Sequence, residues 1–377
     1  MNQNEVFEII KSELDASLHG DTPAQQPKSL SSSVSPWLAA SLLQKAIRRG
    51  ETDWALAAAD NLLQRDPDRL WRRLLIIAFE DVGIANLDLI ARVTAASRYR
   101  RTYEKHGLAR TALLILTAEL CVSPKCRASD DLYVIIENGP VEDIHRLHGS
   151  ELPLPDLLDT ATHNSAPIED RAKALWLAVG TERKGVATLS ARRGQPKAVF
   201  DYLNDAGWPH SLVEVARVAY SRTGEVICAF MPLLYAVYRE TLPGSYSQMG
   251  VIASCGLSDD MFPPVSETNL FEVPGYALDW FCREGRQSLS AFLHGPTETA
   301  GLIRQHIPPS QRMDALGSLL FRTESSLVRK RLDWSLGIEL QQSADQSVAN
   351  MFRGDAAIVF EQMRTDLATL NEIRAGR

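Results

Sequence analysis

Residues 35–83 of the chain read SPWLAASLLQKAIRRGETDWALAAADNLLQRDPDRLWRRLLIIAFEDVG. Ser35 and Pro36 mark a helix start, because serine caps a helix and proline fits its first turn, and Gly50 follows the basic end of that helix. A second helix is predicted from there to the break DPD at 66–68, and the apolar run that follows the break repeats at helical spacing. Breaks this short favour antiparallel packing, so the stretch predicts a helical bundle.

The same helical spacing continues on both sides of this stretch. Strands with alternating valine-rich patterns are absent, and no fixed-period repeat occurs. The sequence therefore predicts an all-α protein. Further helices are predicted at 5–18, 87–104, 108–121, 124–138, 168–179, 196–204, 210–222 and 225–240, and in a helical pattern across 275–374.

The chain has 377 residues, more than one hydrophobic core normally serves, so two helical domains are predicted. Residues 1–35 are expected to form a short helix, an appendage, and a flexible linker rich in proline and serine. Residues 36–148 form the first helical domain in this interpretation. A proline-rich linker at 149–167 separates it from the second helical domain at 168–377. A long loop at 241–274 interrupts that domain.

Composition excludes several classes of protein. The chain is 45% hydrophobic and 23% charged, and no apolar run reaches the length of a membrane span. The N-terminus lacks the pattern of a secretory signal, so a cytoplasmic location is predicted. The formal net charge of −7 argues against coating nucleic acid with the whole surface, so any such contact must be local. The five cysteines form no CxxC and are expected to be reduced core residues; they are Cys121, Cys126, Cys228, Cys255 and Cys282.

Two basic islands are the candidate nucleic-acid contacts. The first surrounds two aromatic rings with cations, a composition suited to phosphate contact and base stacking. Its alternative is a solvated helix face whose tyrosines pack inward. The second is a basic loop that either follows a phosphate backbone, binds an anion at the start of the next helix, or simply connects two helices. The residues are Arg98, Tyr99, Arg100, Arg101 and Lys105 in the first island, and Arg183, Lys184, Arg192 and Arg193 in the second.

A metal site and a catalytic site have weak support. Glu142, His145 and His148 share one helix face by spacing, and the fold can bring His163 near them. Without HExxH, a second pair or a nearby cysteine, surface or capping histidines are the favoured interpretation and no metal is predicted. Nucleophile elbows and dinucleotide-binding turns are also absent. The sequence predicts no cofactor.

A dense aromatic and charged stretch follows Pro274. Asp279, Arg283 and Arg286 are predicted to share one helical face, as an ion network or a binding site. The favoured alternative is core packing by Tyr276, Trp280 and Phe281.

Residues 41–49, SLLQKAIRR, and 72–83, RRLLIIAFEDVG, are the most specific text in the chain. The stretch from about 37 to 138 resembles the C-terminal helical region of the replication-associated recombination protein A family, AAA+ ATPases related to clamp loaders. Departures include Gln44 in place of a histidine and Arg49 in place of a glycine. The matching residues are Ser41, Leu43, Lys45, Ile47 and Arg48 in the first block, Arg72, Arg73, Glu80, Asp81 and Gly83 in the second, and Pro124 and Lys125 in a third.

The resemblance implies a helical collar that joins subunits of a homo-oligomer, often a tetramer, near replication forks. The residues themselves indicate a structural role: carboxylates at a helix end can pair with an arginine from a neighbouring helix and fix the bundle register, with partner contact as the alternative. The family has its phosphate-binding loop upstream, but no G-x-x-x-x-G-K-[ST] occurs here. The nearest text, GTERKGV at 180–186, lacks the lysine and hydroxyl that hold phosphate and Mg²⁺. ATP hydrolysis by this chain alone is not expected.

The predicted function is therefore non-catalytic. We predict an oligomerising factor in DNA replication, recombination or repair, docking on DNA or on replication proteins, as an ATPase-free relative encoded by a mobile element. Two alternatives remain: an enzyme whose site lies in the second domain and uses Asp279, Glu284 or the histidines near 145, and a purely structural assembly protein.

Overall fold

The computed structural model of the chain describes residues 2–20, 27–139, 152–182, 188–241, 257–258, 260–263, 265, 269–353 and 356–376. The chain is 74% helical with essentially no sheet, and 18 α-helices lie in the described residues. The prediction of an all-α fold is confirmed.

The helices cover most of the described chain. The first nine are α1 (Gln3–Gly20), α2 (Pro36–Arg49), α3 (Thr52–Arg65), α4 (Pro67–Ile77), α5 (Leu87–Arg98), α6 (Arg100–Lys105), α7 (Ala109–Val122), α8 (Ala128–Asn138) and α9 (Leu154–Thr162). The others are α10 (Ile168–Val179), α11 (Pro196–Asp205), α12 (His210–Thr223), α13 (Ile227–Glu240), α14 (Arg283–His294), α15 (Glu298–His306), α16 (Arg312–Leu320), α17 (Ser335–Asn350) and α18 (Ala356–Ala375). Two π-helical turns, Ala78–Val82 and Phe321–Ser325, continue α4 and α16.

The ends of α2 and α4 follow from local chemistry. The Ser35 hydroxyl accepts a hydrogen bond from the backbone N–H of Leu38, and Gly50 closes α2 in the left-handed conformation at φ 70°. At the start of α4 the Asp66 carboxylate accepts from the N–H of Arg69, with Pro67 in the first turn. These caps match the helix starts predicted from the sequence.

Helix α1 is part of the core rather than an appendage. One apolar face of α1 is buried against α5 and α12. A polar side chain of α1 is also bonded to α12, because the Gln3 amide donates to the Glu214 carboxylate at 2.7 Å. The prediction of an appendage was wrong, since the partner face lies on helices distant in sequence. The buried residues of α1 are Val6, Phe7, Ile10, Leu14 and Leu18.

Three stretches differ locally from the sequence prediction. Helix α9 forms inside the predicted linker 149–167 and packs on α10. Pro124 does not open a helix, because α8 begins at Ala128. The residues between pair instead with a distant segment, where the backbone N–H of Lys125 donates to the Lys330 carbonyl at 2.8 Å. Within the predicted loop 241–274, strand β1 (Leu257–Ser258) pairs antiparallel with β2 (Arg331–Leu332).

Buried side chains form two hydrophobic clusters. The larger contains residues of α1 to α13 and a few later positions such as Trp334, so it includes helices from both sides of the predicted linker. The smaller is made by α14 to α18, which we call the C-terminal helices, with Val134 of α8. Helix α8 thus joins the clusters, because its Leu132 and Ile136 belong to the larger one. The division into two domains stays a prediction.

The described residues bear on two further expectations. Four of the five cysteines are buried, and Cys255 lies outside the described residues. None of the described helices combines the length and apolar character that a membrane crossing requires.

Candidate functional site: a buried charge network beside a cavity

The matching residues of α2 and α4 meet in the interior. Arg48 of α2 donates through Nε to Asp81 Oδ1 at 2.6 Å and through Nη2 to Glu80 Oε1 at 2.5 Å. Its third donor, Nη1, bonds the carbonyl of Ser325 at 2.7 Å. The fork geometry of guanidinium suits this double carboxylate recognition. Arg48 therefore links α2, the end of α4 and the second π-helical turn.

A second guanidinium shares the same carboxylate. Arg127, just before α8, forms an ion pair with Asp81 and donates through Nη2 to Asp130 at 2.7 Å. Asp81 is 0% exposed, so water does not solvate it. The guanidiniums of Arg48 and Arg127 also lie 5.3 and 5.2 Å from the ring centroid of Phe321. Two buried cations thus depend on one buried anion.

The C-terminal helices extend this arrangement. Arg322, in the second π-helical turn, bonds Asp131 of α8 at 2.7 Å and Asp345 of α17 at 2.5 Å. Because π-helical turns are rare and frequently mark functional positions, two of them supplying one cluster single it out. We call this cluster the charge network; its members are Arg48, Glu80, Asp81, Arg127, Asp130, Asp131, Arg322 and Asp345.

Gly83 fixes the first π-helical turn against the next segment. Its φ is 55°, a left-handed conformation that favours glycine, and a Cβ there would lie 2.2 Å from the carbonyl oxygen of Cys126. The N–H of Cys126 in turn donates to the carbonyls of Asp81 at 2.9 Å and Val82 at 3.1 Å. The glycine allows the close approach that brings Arg127 to Asp81.

Lys45 attaches α2 to the stretch after Pro274. Its ammonium forms an ion pair with Asp279 at 2.6 Å and bonds the carbonyl of Tyr276 at 2.6 Å. The Ser41 hydroxyl donates to the carbonyl of Ala277 at 2.8 Å and to Asp279 at 3.1 Å. Asp279 is thus a buried structural anion, and it precedes α14 instead of sharing a helical face with Arg283 and Arg286.

Lys125 closes the end of α7. Its buried ammonium donates to the carbonyls of Leu120 at 2.8 Å, Cys121 at 3.3 Å and Ser123 at 2.5 Å. These carbonyls have no partner within the helix, so a cation there satisfies them and complements the helix dipole. Burial lowers the pKa of Lys125 to about 8.

The pKa values in the charge network diverge. Burial alone would raise the pKa of Glu80, but Arg48, Arg127 and Arg73 together hold it below its ordinary range. For Asp130 burial prevails over its arginine neighbours, while Glu80 and Asp131 add repulsion, and its pKa rises to about 7. Burial likewise lowers the pKa of Lys45 although Asp279 opposes the shift.

Asp130 therefore gives a pH-dependent contribution to stability. Its folded-state pKa of about 7 exceeds the ordinary aspartate value, so between about pH 4 and 7 the folded chain holds a proton that the unfolded chain has lost. Stability from this group falls as pH rises through that window.

We expect the advantage of the wild type over Asp130→Asn in unfolding free energy to shrink by at least about 1 kcal/mol from pH 5 to pH 8. Urea titrations at each pH measure it, with exposed Asp156→Asn as control; a constant difference would contradict the assignment.

A cavity of about 770 Å³ lies beside the charge network. On one side its wall is built by residues of the matching blocks, and on the other by the C-terminal helices and the stretch before them. The first group includes Ser41, Gln44, Lys45, Arg48, Arg72, Arg73 and Glu80, and the second includes Asp279, Trp280, Phe281, Gly317, Phe321 and Arg322.

The double arginine of α4 faces this cavity and does not pair with Glu80 or Asp81. Exposed Arg72 donates to the carbonyl of Thr223 at 3.0 Å and contacts Glu225 at 3.4 Å. Arg73 donates to Gln44 Oε1 at 3.0 Å. None of these three partners was evident from the sequence.

The first basic island contacts α1 and α4. Buried Tyr103 donates to Asp15 at 2.9 Å, and Tyr99 donates to Glu8 at 2.8 Å. Arg98 bonds Asn4 at 2.8 Å, and Arg100 forms an ion pair with Asp68. Arg101 and Lys105 are exposed. The tyrosines have protein partners, and the cations remain at the surface.

The tertiary structure adds one arginine to this island. Exposed Arg222, at the end of α12, donates to the carbonyl of Arg98 at 3.3 Å. Burial lowers the pKa of Arg222, and the charges of Arg98 and Arg100 lower it further, so the three guanidiniums are close enough to repel one another. No sequence signal connected Arg222 with the island, because 124 positions separate Arg222 from Arg98.

The remaining predicted residues are dispersed or lie outside the described part. Arg192 bonds the carbonyl of Leu152 at 2.6 Å and Arg193 is exposed, whereas Arg183 and Lys184 lie outside the described residues. Glu142, His145 and His148 also lie outside them, and the imidazole of His163 forms a hydrogen bond with the hydroxyl of nearby Ser165 at 2.9 Å. In the part of the chain that is described, no cluster of three potential metal ligands occurs.

The matching blocks therefore supply one connected arrangement, and comparison with known proteins shows which part of the chain resembles them. Residues 53–171 match the MgsA AAA+ ATPase C-terminal family. The replication-associated recombination protein A of Bacillus subtilis (strain 168) is 34% identical over 111 residues, which cover 28% of this chain and 26% of that protein. The chain thus spans about a quarter of the length of that relative. No solved structure matches the chain. The resemblance predicted from the sequence is confirmed.

The MgsA C-terminal match covers only part of the charge network. Five of its eight members fall within 53–171: Glu80, Asp81, Arg127, Asp130 and Asp131. Three members lie outside the matched residues, namely Arg48, Arg322 and Asp345. Of these, the sequence analysis singled out only Arg48. The acidic pair at 130–131 opens α8 and carried a local signal as a helix start, whereas Arg322 and Asp345 carried none.

Proposed function

We propose that the chain is a non-catalytic, oligomerising factor in DNA replication, recombination or repair, which docks on DNA or on replication proteins without hydrolysing ATP itself. The match to the MgsA AAA+ ATPase C-terminal family, and to a relative named for replication-associated recombination, carries this proposal.

The geometry of the matched residues supports a structural role for them. Asp81 is enclosed by two guanidiniums, Lys45 is paired with Asp279, and Lys125 closes α7. Each of these three ionised side chains already has its partner, and buried pairs of this kind set geometry more often than they perform chemistry. These buried pairs would hold the helices in place, and partners would dock on the outer surface of those helices.

The exposed arginines of the first island support docking on DNA. Arg101, Arg222 and Lys105 are exposed and have no carboxylate within ion-pair distance among the described residues, so their charges are available to phosphates. The chain as a whole is acidic, which confines the contact to this face.

Neutralising this face should weaken DNA binding. We expect Arg101→Gln with Arg222→Gln to lower the affinity for a short forked DNA about tenfold and to reduce the slope of log affinity against log salt by up to about 2, since each lost phosphate contact releases one counterion fewer. Fluorescence anisotropy at several salt concentrations measures both. The matched control is Arg283→Gln with Arg364→Gln, two exposed arginines elsewhere.

Unchanged affinity and salt slope in the first double variant would exclude this face as the DNA contact. Light-scattering mass with and without the fork tests the oligomer in the same samples. A monomer under both conditions would contradict the proposed oligomerising role.

A further inference from the structure

The cavity beside the charge network has one cation without a carboxylate. Around it, Lys45 pairs with Asp279, Arg48 with Glu80 and Asp81, Arg322 with Asp131, Arg69 with Asp66, and Arg72 with Glu225. Among the described residues, Arg73 has no carboxylate oxygen within 4.0 Å and bonds only the neutral Gln44 amide. An arginine fork in this position is suited to a ligand phosphate or carboxylate.

Arg73 is partly buried among other charged side chains of the cavity wall. Burial lowers the pKa of Arg73, Glu80 opposes this shift, and the neighbouring charge of Arg48 adds to it. Glu225 and Asp279 oppose the shift as well, but none of these three carboxylates is bonded to Arg73, and Glu80 is itself bound by Arg48. An added anion would therefore gain a favourable interaction without displacing a protein carboxylate.

Aromatic rings line the same cavity. Trp37 and Phe281 are 54% and 56% exposed, although both belong to residue types that are usually buried. Trp280 lies beside Phe281, with ring centroids 5.7 Å apart, and Tyr133 forms another part of the wall. The Arg69 guanidinium lies 3.6 Å from the centroid of the Trp37 ring, so Phe281 supplies the exposed ring at this wall, and such a ring is suited to stacking on a planar ligand.

The neighbouring polar groups complete the chemistry. Exposed Glu137 and the Asn138 amide also line the cavity and can accept hydrogen bonds from hydroxyls or exocyclic amines. The volume of about 770 Å³ falls in the range usual for small-molecule sites, roughly 300–1,000 Å³. An aromatic wall, a free guanidinium and hydroxyl acceptors together describe a ligand with a planar ring, a sugar and an anionic group.

We propose that this cavity binds a nucleoside phosphate, with Arg73 contacting the phosphate and Trp280 and Phe281 contacting the base. The site would lie between α2 and α4 on one side and the C-terminal helices on the other, so the ligand would hold the two hydrophobic clusters together. The proposal concerns binding only and is independent of the exposed arginine face that contacts DNA in the proposed function.

Calorimetric titration of the full chain with ADP, adenosine and pyrophosphate tests the proposal. We expect ADP to bind more tightly than either fragment. Arg73→Gln keeps a donor for Gln44 but removes the charge. It should lower the affinity for ADP at least tenfold and leave the affinity for adenosine within a factor of two of the wild type. Phe281→Ala should lower the affinities for ADP and for adenosine by about the same factor. Substitution of exposed Arg101 in Arg101→Gln should change neither affinity. Circular dichroism of each variant verifies that it is folded.

The nucleoside phosphate can be free or can be the end of a nucleic-acid strand. A single-stranded oligonucleotide with a 5′ phosphate, titrated into the same variants, distinguishes the two sources. Tighter binding of the oligonucleotide with the same dependence on Arg73 and Phe281 supports the site and assigns it to strand ends. Tighter binding of ADP supports the site and assigns it to free nucleotide.

Two results would overturn the proposal. One is the absence of measurable ADP and oligonucleotide binding to the folded wild-type chain at millimolar ligand. The other is binding that is equal in wild type, Arg73→Gln and Phe281→Ala. Neither result depends on Arg101 and Arg222, so failure here is distinguishable from failure of the proposed DNA face.

Discussion

Asp81→Ala is expected to lower the free energy of unfolding by about 3–5 kcal/mol, because it leaves the buried guanidiniums of Arg48 and Arg127 without their common anion. Removing one member of a buried ion pair is costly in this way because a desolvated charge remains unpaired. Glu80 and Asp130 would retain one contact to each arginine, so the folded state is weakened without losing every partner. Urea unfolding followed by circular dichroism measures the change.

Asp205→Asn is the matched control for this experiment. Asp205 is exposed at the end of α11, so its substitution should change the unfolding free energy by no more than about 0.5 kcal/mol. A loss at Asp81 as small as that at Asp205 would show that the charge network does not stabilise the fold. Combining Asp81→Ala with Arg127→Met should recover part of the loss, because the second change removes one of the unpaired charges.

Gly83→Ala should lower the free energy of unfolding by at least about 3 kcal/mol, since two penalties add there. The residue has φ 55°, where L side chains are strained, and its Cβ would come within 2.2 Å of the Cys126 carbonyl oxygen. Relief requires the segment before α8 to move away, which also pulls Arg127 from Asp81. The same urea titration measures this loss.

Two other glycines separate the penalties. Gly107 has φ 70° but no atom within 4 Å of a built Cβ, so Gly107→Ala should cost only about 1 kcal/mol. Gly301, within α15, has neither feature, and Gly301→Ala should stabilise by about 0.5–1 kcal/mol. If Gly83→Ala cost no more than Gly107→Ala, the close approach to Cys126 would not constrain the fold.

Local chemistry was enough to predict most helices. The caps at Ser35, Gly50 and Asp66 each involve residues within four positions, so their hydrogen bonds are readable from the sequence. The start of α8 was misplaced for the converse reason. Proline favours the first turn, but the backbone after Pro124 is taken up by pairing with Lys330 and Arg331, about 200 residues away.

The candidate site was predictable only in part. The matching blocks identified Lys45, Arg48, Glu80, Asp81 and Gly83, and a neighbouring-helix arginine was expected to bind the carboxylates. The partners Asp279, Arg322 and Asp345 could not be assigned, because charged residues are common and their spacing in the chain carries no signal of proximity. For the same reason the contact between Arg222 and Arg98 could not be predicted.

By itself the sequence determined the helical class, most helix ends, the resemblance to the MgsA C-terminal family and the residues of its matching blocks. Tertiary structure alone decided that α1 packs into the core and that α9 forms in the predicted linker. It also decided that Arg73 lines a cavity and, among the described residues, has no carboxylate partner there. The physical reason is range. Caps and helical periodicity act within a few residues, whereas burial and ion pairing depend on which distant surfaces meet.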